Sequence, residues 1–181
     1  MVEMNQQAKL SEHLASPSVA ALSHSSELNG LRLSPHFSLG ELTRSKSHPE
    51  VYNVPSHVNI ENLKRVCVWL EALRARYNER YVLAGSEPII ITSGYRSAEL
   101  NRKVGGVATS NHLTGCAVDI RVAGKEQLIR YACILLDYAD ETKQDFDEIL
   151  LEHGANGVIW LHFAVRPPGQ QNRRKINFLK G

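Results

Sequence analysis

The sequence lacks any apolar run approaching the eighteen or so residues that a membrane-spanning helix needs, which excludes such a helix. It also lacks a basic start followed by an apolar core. Met1 to Leu10 holds Glu3, Asn5, Gln6, Gln7 and Lys9, so no secretory signal is read there. The expectation is a chain that is cytoplasmic as synthesised and has no membrane partner. Cysteine is scarce. Cys67, Cys116 and Cys133 are odd in number and show no C-x-x-C spacing, which excludes a disulfide framework and a thiolate zinc site. Cys67 and Cys133 lie among apolar neighbours at helical spacing and are expected to be buried free thiols, as a reducing compartment allows. A large excess of charge is missing too. The formal net charge of +2 is too small to argue for a nucleic-acid partner.

What is present suits one globular domain. The chain has 181 residues, 43% of them hydrophobic and 22% charged, enough to bury a core without staples. Residues 1–30 are rich in Ser, Ala, His and Asn and read as a loose tail, with a short helix around Ala8–Leu14. Residues 31–166 hold the periodic segments. Residues 167–181 read as a basic C-terminal tail: Arg166 to Gly181 has five basic residues and no acid, although Ile176–Phe178 could add an edge strand.

Within the domain, Ser38 and Glu41 read as a capping box. Leu63, Val66, Cys67, Leu70, Leu73 and Tyr77 recur on one face of a helix over about 59–78, with Asn59 as its cap and Trp69 beside the stripe as packing. Residues 88–92 read as a short central strand. Ser97 caps a short helix that the pair Gly105-Gly106 stops. Residues 116–122 form a strand, residues 125–138 an amphipathic helix, and residues 146–152 and 158–165 two strands joined by a hairpin. The fold class is α+β, a small antiparallel sheet with helices packed on one side.

The chemistry begins with His112 and Asp119. His112 ends a polar loop, Gly115 permits a reversal, and Asp119 projects from a strand face opposite Val118 and Ile120. In the strand VIWLHFAV, Ile159, Leu161, Phe163 and Val165 make a core face, while Trp160 and His162 occupy the other. Two imidazoles and a carboxylate suit zinc, and three protein ligands leave a fourth position for water. His13, His24, His36, His48, His57 and His153 have no ligand spacing to this set.

Further motifs occur in order: Ser93-Gly-Tyr-Arg-Ser97, Asn101, Val104-Gly-Gly106, Ser110-x-His112-x-x-Gly115-x-Ala117-x-Asp119 and Trp160-x-His162. The series, over about residues 33–166, resembles the D-alanyl-D-alanine carboxypeptidase family of zinc peptidases. That family belongs to a wider group with the L-alanyl-D-glutamate endopeptidases of phage lysins and the hedgehog signalling domain. The resemblance implies one zinc per chain, bound by His112, Asp119 and His162. It implies Arg96 as a substrate or transition-state contact, with Ser110 lining the site; Tyr95 is a further substrate-site candidate, and Trp160 reads either as a platform for substrate or as cover for the metal. It implies hydrolysis of peptide bonds in peptidoglycan stem peptides or cross-links, by an endopeptidase or a carboxypeptidase; a monomer is expected. A chain without a signal fits a phage or prophage lysin that reaches the wall after release. The alternative is a zinc-containing binding module without turnover.

The chain departs from the resemblance at one place. Relatives often place an acid or a second histidine just before the last ligand, where this chain has Ile159 and Trp160. The base must come from elsewhere. Glu148 and Glu152 share a strand face, and a turn over 153–157 would set Glu152 opposite Val158 and Glu148 opposite His162. Asp147 faces the other way and is the residual option.

Overall fold

A computed structural model of the chain describes residues 30–180. The tail over 1–29 and its expected helix at Ala8–Leu14 lie outside the described residues. Helix α1, Leu39–Thr43, begins at Ser38. The Ser38 hydroxyl accepts from Glu41 N, and the Glu41 carboxylate accepts from Ser38 N, a reciprocal pair that satisfies two end groups. Helix α2, His57–Tyr81, starts two residues before the expected 59. Its cap is Ser56, the residue after Pro55, and not Asn59. Asn59 is thereby freed for another contact: its amide donates to Leu113 O at 3.0 Å, and Asn62 donates to Thr114 O at 2.9 Å.

Strand β1, Ile91–Ser93, starts three residues later than the expected 88 and lies at the edge of the sheet rather than its centre; among the described residues it has one partner strand, and the register with it breaks between Ile91 and Ser93. Helix α3, Ala98–Lys103, carries the Ser97 cap. A 3-10 turn, Asn111–Thr114, leads into β2, Ala117–Arg121. Helix α4, Lys125–Thr142, runs one turn beyond the expected 138 and ends at Lys143, which adopts a left-handed conformation. Strands β3, Glu148–His153, and β4, Ile159–Ala164, form the expected hairpin.

The five-stranded sheet has the order β1-β2-β4-β3-β5. The first four strands pair antiparallel, and β5, Lys175–Lys180, adds parallel to β3. The sheet is therefore mixed. The segment read as a basic tail is its edge, and the open alternative at Ile176–Phe178 is the one that forms. Edge position leaves Ile176 and Phe178 largely exposed, which is why the segment has so little apolar signal.

Strand alternation divides the sheet. Val118, Ile120, Ile149, Leu151, Leu161 and Phe163 face α2 and α4 and are buried. Trp69 packs 5.1 Å from Phe163 and 4.9 Å from Tyr138, ring to ring. Each fully buried Leu or Phe there contributes about 2 kcal/mol. Cys67 belongs to this core, and burial pushes its thiol up to about 12. Cys133 is exposed, contrary to the expectation from its neighbours: it falls outside the α4 stripe of Leu128, Ala132 and Leu135. Among the described residues, no helix is long and apolar enough to cross a membrane.

Candidate metal centre

The face away from α2 and α4 brings the ligand set together. Asp119 of β2 lies directly opposite His162 of β4 and is flanked on its other side by Ser93 of β1. Opposite residues on adjacent strands hold their Cβ atoms about 5 Å apart, so the two side chains reach one point. His112 arrives from the 3-10 turn. Ser110 caps that turn by accepting from His112 N at 3.3 Å, and Asn59 and Asn62 of α2 hold its far end. Gly115 closes the turn at φ +71°, and a Cβ there would sit 2.5 Å from Asn59 O. Any other residue would be strained and would push the turn off α2.

Three donor atoms converge: His112 Nε2, Asp119 Oδ1 and His162 Nδ1, all within 4.8 Å of one another. His162 Nδ1 is 2.9 Å from Asp119 Oδ1, and His112 Nε2 is 3.3 Å from both other atoms. His112 Nδ1 lies 2.6 Å from Gly94 O, a carbonyl that can only accept, so the ring proton is on Nδ1. Burial pushes the His112 pKa down, against the pull of Asp119, and keeps the ring neutral. Its Nε2 therefore turns a lone pair toward a carboxylate oxygen. A proton on His162 Nδ1 is the one positive element between them, and a divalent cation at that point would satisfy all three atoms. The donor set fits zinc, which takes imidazole nitrogen and carboxylate oxygen.

Burial opposes charge on His162, but Asp119 and Glu148 outweigh it and lift its pKa to about 9. Burial likewise opposes charge on Asp119, and the two histidines hold its carboxyl far below the usual carboxylate range. The second Asp119 oxygen, Oδ2, accepts from Arg96 Nη2, while Arg96 Nε donates to Ser93 Oγ at 2.8 Å. Expected over the cleft as a substrate contact, Arg96 stands behind a ligand and fixes which oxygen faces the metal point.

The hairpin keeps the expected parity but shifts its register. The turn spans 154–158, held by Gly154 N to Val158 O at 2.8 Å, with Gly157 at φ +81°. Glu152 therefore pairs with Trp160, Glu148 with Ala164, and Leu150 with His162. Both glutamates remain on the ligand face and flank His162 diagonally. Their environments differ. Glu148 Oε2 lies 3.5 Å from His162 Nε2, and Oε1 lies 2.9 Å from Arg173 and 3.3 Å from Lys175. His162, ahead of burial's opposing effect, and then Lys175 and Arg173 hold its pKa at about 2. Glu152 has neither Arg173 nor Lys175 beside it, and burial together with the Asp119 charge outweighs the pull of His162 and Arg96 and pushes its pKa up.

Asp147, the residual option for a base, is fully buried and saturated. Arg173 Nε and Nη2 bond its two oxygens at 2.8 and 2.6 Å, Arg166 Nε reaches it at 2.9 Å, and Asn111 Nδ2 donates to Oδ2 at 2.9 Å. Burial resists its charge, but these donors lower its pKa. It ties the C-terminal segment to the residue before His112, a duty that spacing did not reveal. Tyr95 is half-buried, and its backbone bonds Leu42 O and Asn53. Trp160 is half-buried and lies toward Gly154, at the hairpin turn.

Sheet, helices and a convergent set of two histidines and one aspartate that could hold a metal ion point to the class of metal-dependent hydrolases. The Peptidase M15 family model matches residues 35–140, more than half of the chain, and the chain belongs to that family of zinc-dependent peptidases. No curated protein matches it. The matched span holds His112, Asp119 and Arg96. His162, Glu148 and Glu152 lie beyond it, and the β2–β4–β3 pairing brings them to the same point.

Proposed function

We propose that this M15 peptidase hydrolyses peptide bonds in peptidoglycan stem peptides or their cross-links, with one zinc per chain on His112 Nε2, Asp119 Oδ1 and His162 Nδ1. The observation that carries the reading is the convergence of those three atoms beside Glu152, a half-buried glutamate whose pKa is pushed up by burial and by Asp119. Bound zinc would polarise a carbonyl oxygen and lower the pKa of a water molecule.

The protein's own residues do the rest. Gly94 O keeps the His112 proton on Nδ1 and so leaves Nε2 free to ligate. Arg96 holds Asp119 Oδ2, which leaves Oδ1 as the ligating oxygen. Glu152 is the proposed base: it takes a proton from the attacking water and returns it to the leaving amine, and a raised pKa suits both halves of that task. Glu148, held ionised by cations on both sides, is a weak base and serves to steady His162. Tyr95, Ser110 and Trp160 line the approach in this reading. The wall as substrate rests on the ordered motif series from Ser93 to His162 and on the family. Action there requires that the protein leave the cytoplasm after synthesis.

Digestion of purified sacculi by the zinc-loaded chain, with mass analysis of the fragments, tests the reading and names the bond. New amine termini in the stem peptides are expected with wild type and absent with His162→Ala. Intact sacculi with wild type at full zinc occupancy would leave a zinc-containing binding module instead.

A further inference from the structure

The segment from Ser93 to Arg96 carries contacts to two of the three ligands. Gly94 O lies 2.6 Å from His112 Nδ1, Arg96 N donates to His112 O at 3.1 Å, and the Arg96 guanidinium holds Asp119 Oδ2 and, at 2.8 Å, Ser93 Oγ. Where this segment lies therefore sets the His112 ring and the Asp119 carboxylate together. It leaves the end of β1, an edge strand with one partner among the described residues, so sheet pairing holds it from one side.

The end of α1 and Asn53 hold it from another. Tyr95 N donates to Leu42 O at 2.7 Å, and a Cβ at Gly94 would overlap that same carbonyl, so the two backbones touch. Asn53 closes the arrangement. Its Nδ2 donates to Thr43 O at 2.6 Å and to Tyr95 O at 2.9 Å, and its Oδ1 accepts from Ser97 N at 2.6 Å. Two carbonyls facing one end of the side chain and an N–H facing the other admit an amide in a single orientation. A carboxylate would set an oxygen against two carbonyls, and alanine would reach none of the three groups.

Resting on the zinc reading of the centre, we infer that Asn53 is a positioning residue of the metal site. It fixes the Gly94 carbonyl and the Arg96 backbone from the α1 side. It thereby holds the His112 tautomer and the ligating oxygen of Asp119 without bonding either ligand. The chain carries a second asparagine clamp of the same chemistry. Asn78 Nδ2 donates to Arg74 O at 2.8 Å and to Glu87 O at 2.9 Å, and its Oδ1 accepts from Glu87 N at 2.6 Å. That clamp joins the end of α2 to the loop before β1 and bonds no residue from 93 to 97, so it offers the same lesion away from the centre.

The test compares the full-length chain with Asn53→Asp, Asn53→Ala and Asn78→Asp, all kept well below their melting temperatures. Chelator competition reads zinc affinity. Visible absorption of the cobalt-loaded protein reads the geometry of the site. NMR of the metal-free protein labelled with 15N-histidine reads the His112 tautomer. Both Asn53 variants are expected to lose zinc affinity about tenfold, the lower end for removing a group that orients a ligand, to shift the cobalt bands and to lose the protected proton on His112 Nδ1. Asn78→Asp should lower the melting temperature and leave all three readings at wild type. Asn53→Ala serves if Asn53→Asp does not fold. A folded Asn53 variant with wild-type affinity, spectrum and tautomer would overturn the inference. Equal changes in Asn78→Asp would overturn it too, by reducing the effect to a general loss of stability. A wild-type chain that takes up no zinc sinks the zinc reading, and the tautomer in the metal-free protein then decides the clamp by itself.

Discussion

Replacing Arg96 by alanine removes two donors at once, one to Asp119 Oδ2 and one to Ser93 Oγ at 2.8 Å. Both partners of the ion pair are mostly buried, with side chains 15% and 12% exposed, so water replaces the guanidinium poorly. Removing one partner of a buried pair costs about 3–5 kcal/mol when the other charge is left uncompensated. Here the cost sits at the low end, because His112 and His162 still face Asp119 Oδ1. The expected loss of folding stability in the metal-free protein is about 3 kcal/mol, read as a drop in the urea midpoint without change of slope. A freed Oδ2 lets the carboxylate rotate, so zinc affinity should fall about 10–100-fold in chelator competition, the usual effect of removing a group that orients a ligand. Turnover on peptidoglycan fragments should fall even at saturating zinc, because Asp119 no longer presents one fixed oxygen. Arg96→Lys should recover only part of the affinity, since one ammonium cannot span Ser93 and Asp119 as the planar fork does. An Arg96→Ala protein with wild-type zinc affinity and wild-type turnover would refute the positioning argument.

Glu152→Gln should abolish most turnover with zinc retained, a loss on the order of 100-fold or more for a general base, whereas Glu148→Gln should leave kcat within a few fold; the opposite ranking would move the base to Glu148. In the metal-free protein the raised pKa of His162 contributes stability that is fully present below its unfolded value of about 6.5 and is lost as pH rises through about 9. Thermal melts of the chelated chain should therefore fall between pH 7 and 9, and melts of His162→Ala should not show that fall. Gly115→Ala should destabilise the fold by about 1–3 kcal/mol from the left-handed backbone alone, more with the Asn59 clash, and should weaken zinc through the displaced His112 turn. Unchanged chelator competition in that variant would show that the turn does not set the ligand.

The long periodic segments were legible in the sequence because burial imposes their spacing. Leu63 to Tyr77 and Leu128 to Leu135 can form only one-sided helices, and the alternation around His162 assigns it to the face opposite the core. Element ends were less legible, since they turn on single hydrogen bonds. Asn59 and Ser56 both suit a helix cap, and the choice depends on Leu113 O, a partner distant in sequence. The hairpin register followed from where the turn was centred, and a shift of that centre by one residue changed every pair without changing the face. Parity survives such a shift, so both glutamates stayed beside the ligands although neither lies opposite His162. Cys133 misled because its chain neighbours are apolar, whereas burial on a helix follows direction. The Arg96–Asp119 pair and the Asp147 cluster were invisible, because an ion pair between distant segments leaves no local pattern.

The C-terminal residues show how much of the site lies outside the matched span. Their charge looked like a solvated basic run, the ordinary meaning of five cations without an acid. Three of them meet buried or half-buried carboxylates instead: Arg166 and Arg173 at Asp147, and Lys175 at Glu148. Asp147 in turn holds Asn111, the neighbour of His112, and Glu148 stands at His162. Two of the three ligands are thus braced by a segment that contributes no ligand itself. Those cations also separate the two glutamates chemically. They bind Glu148 and not Glu152, where burial and the Asp119 charge outweigh the pull of His162 and Arg96, so the carboxylate nearer the edge cations is held ionised and the other keeps a raised pKa. The acid–base asymmetry of the face therefore arises from where the last strand docks, and not from the residues next to the final histidine.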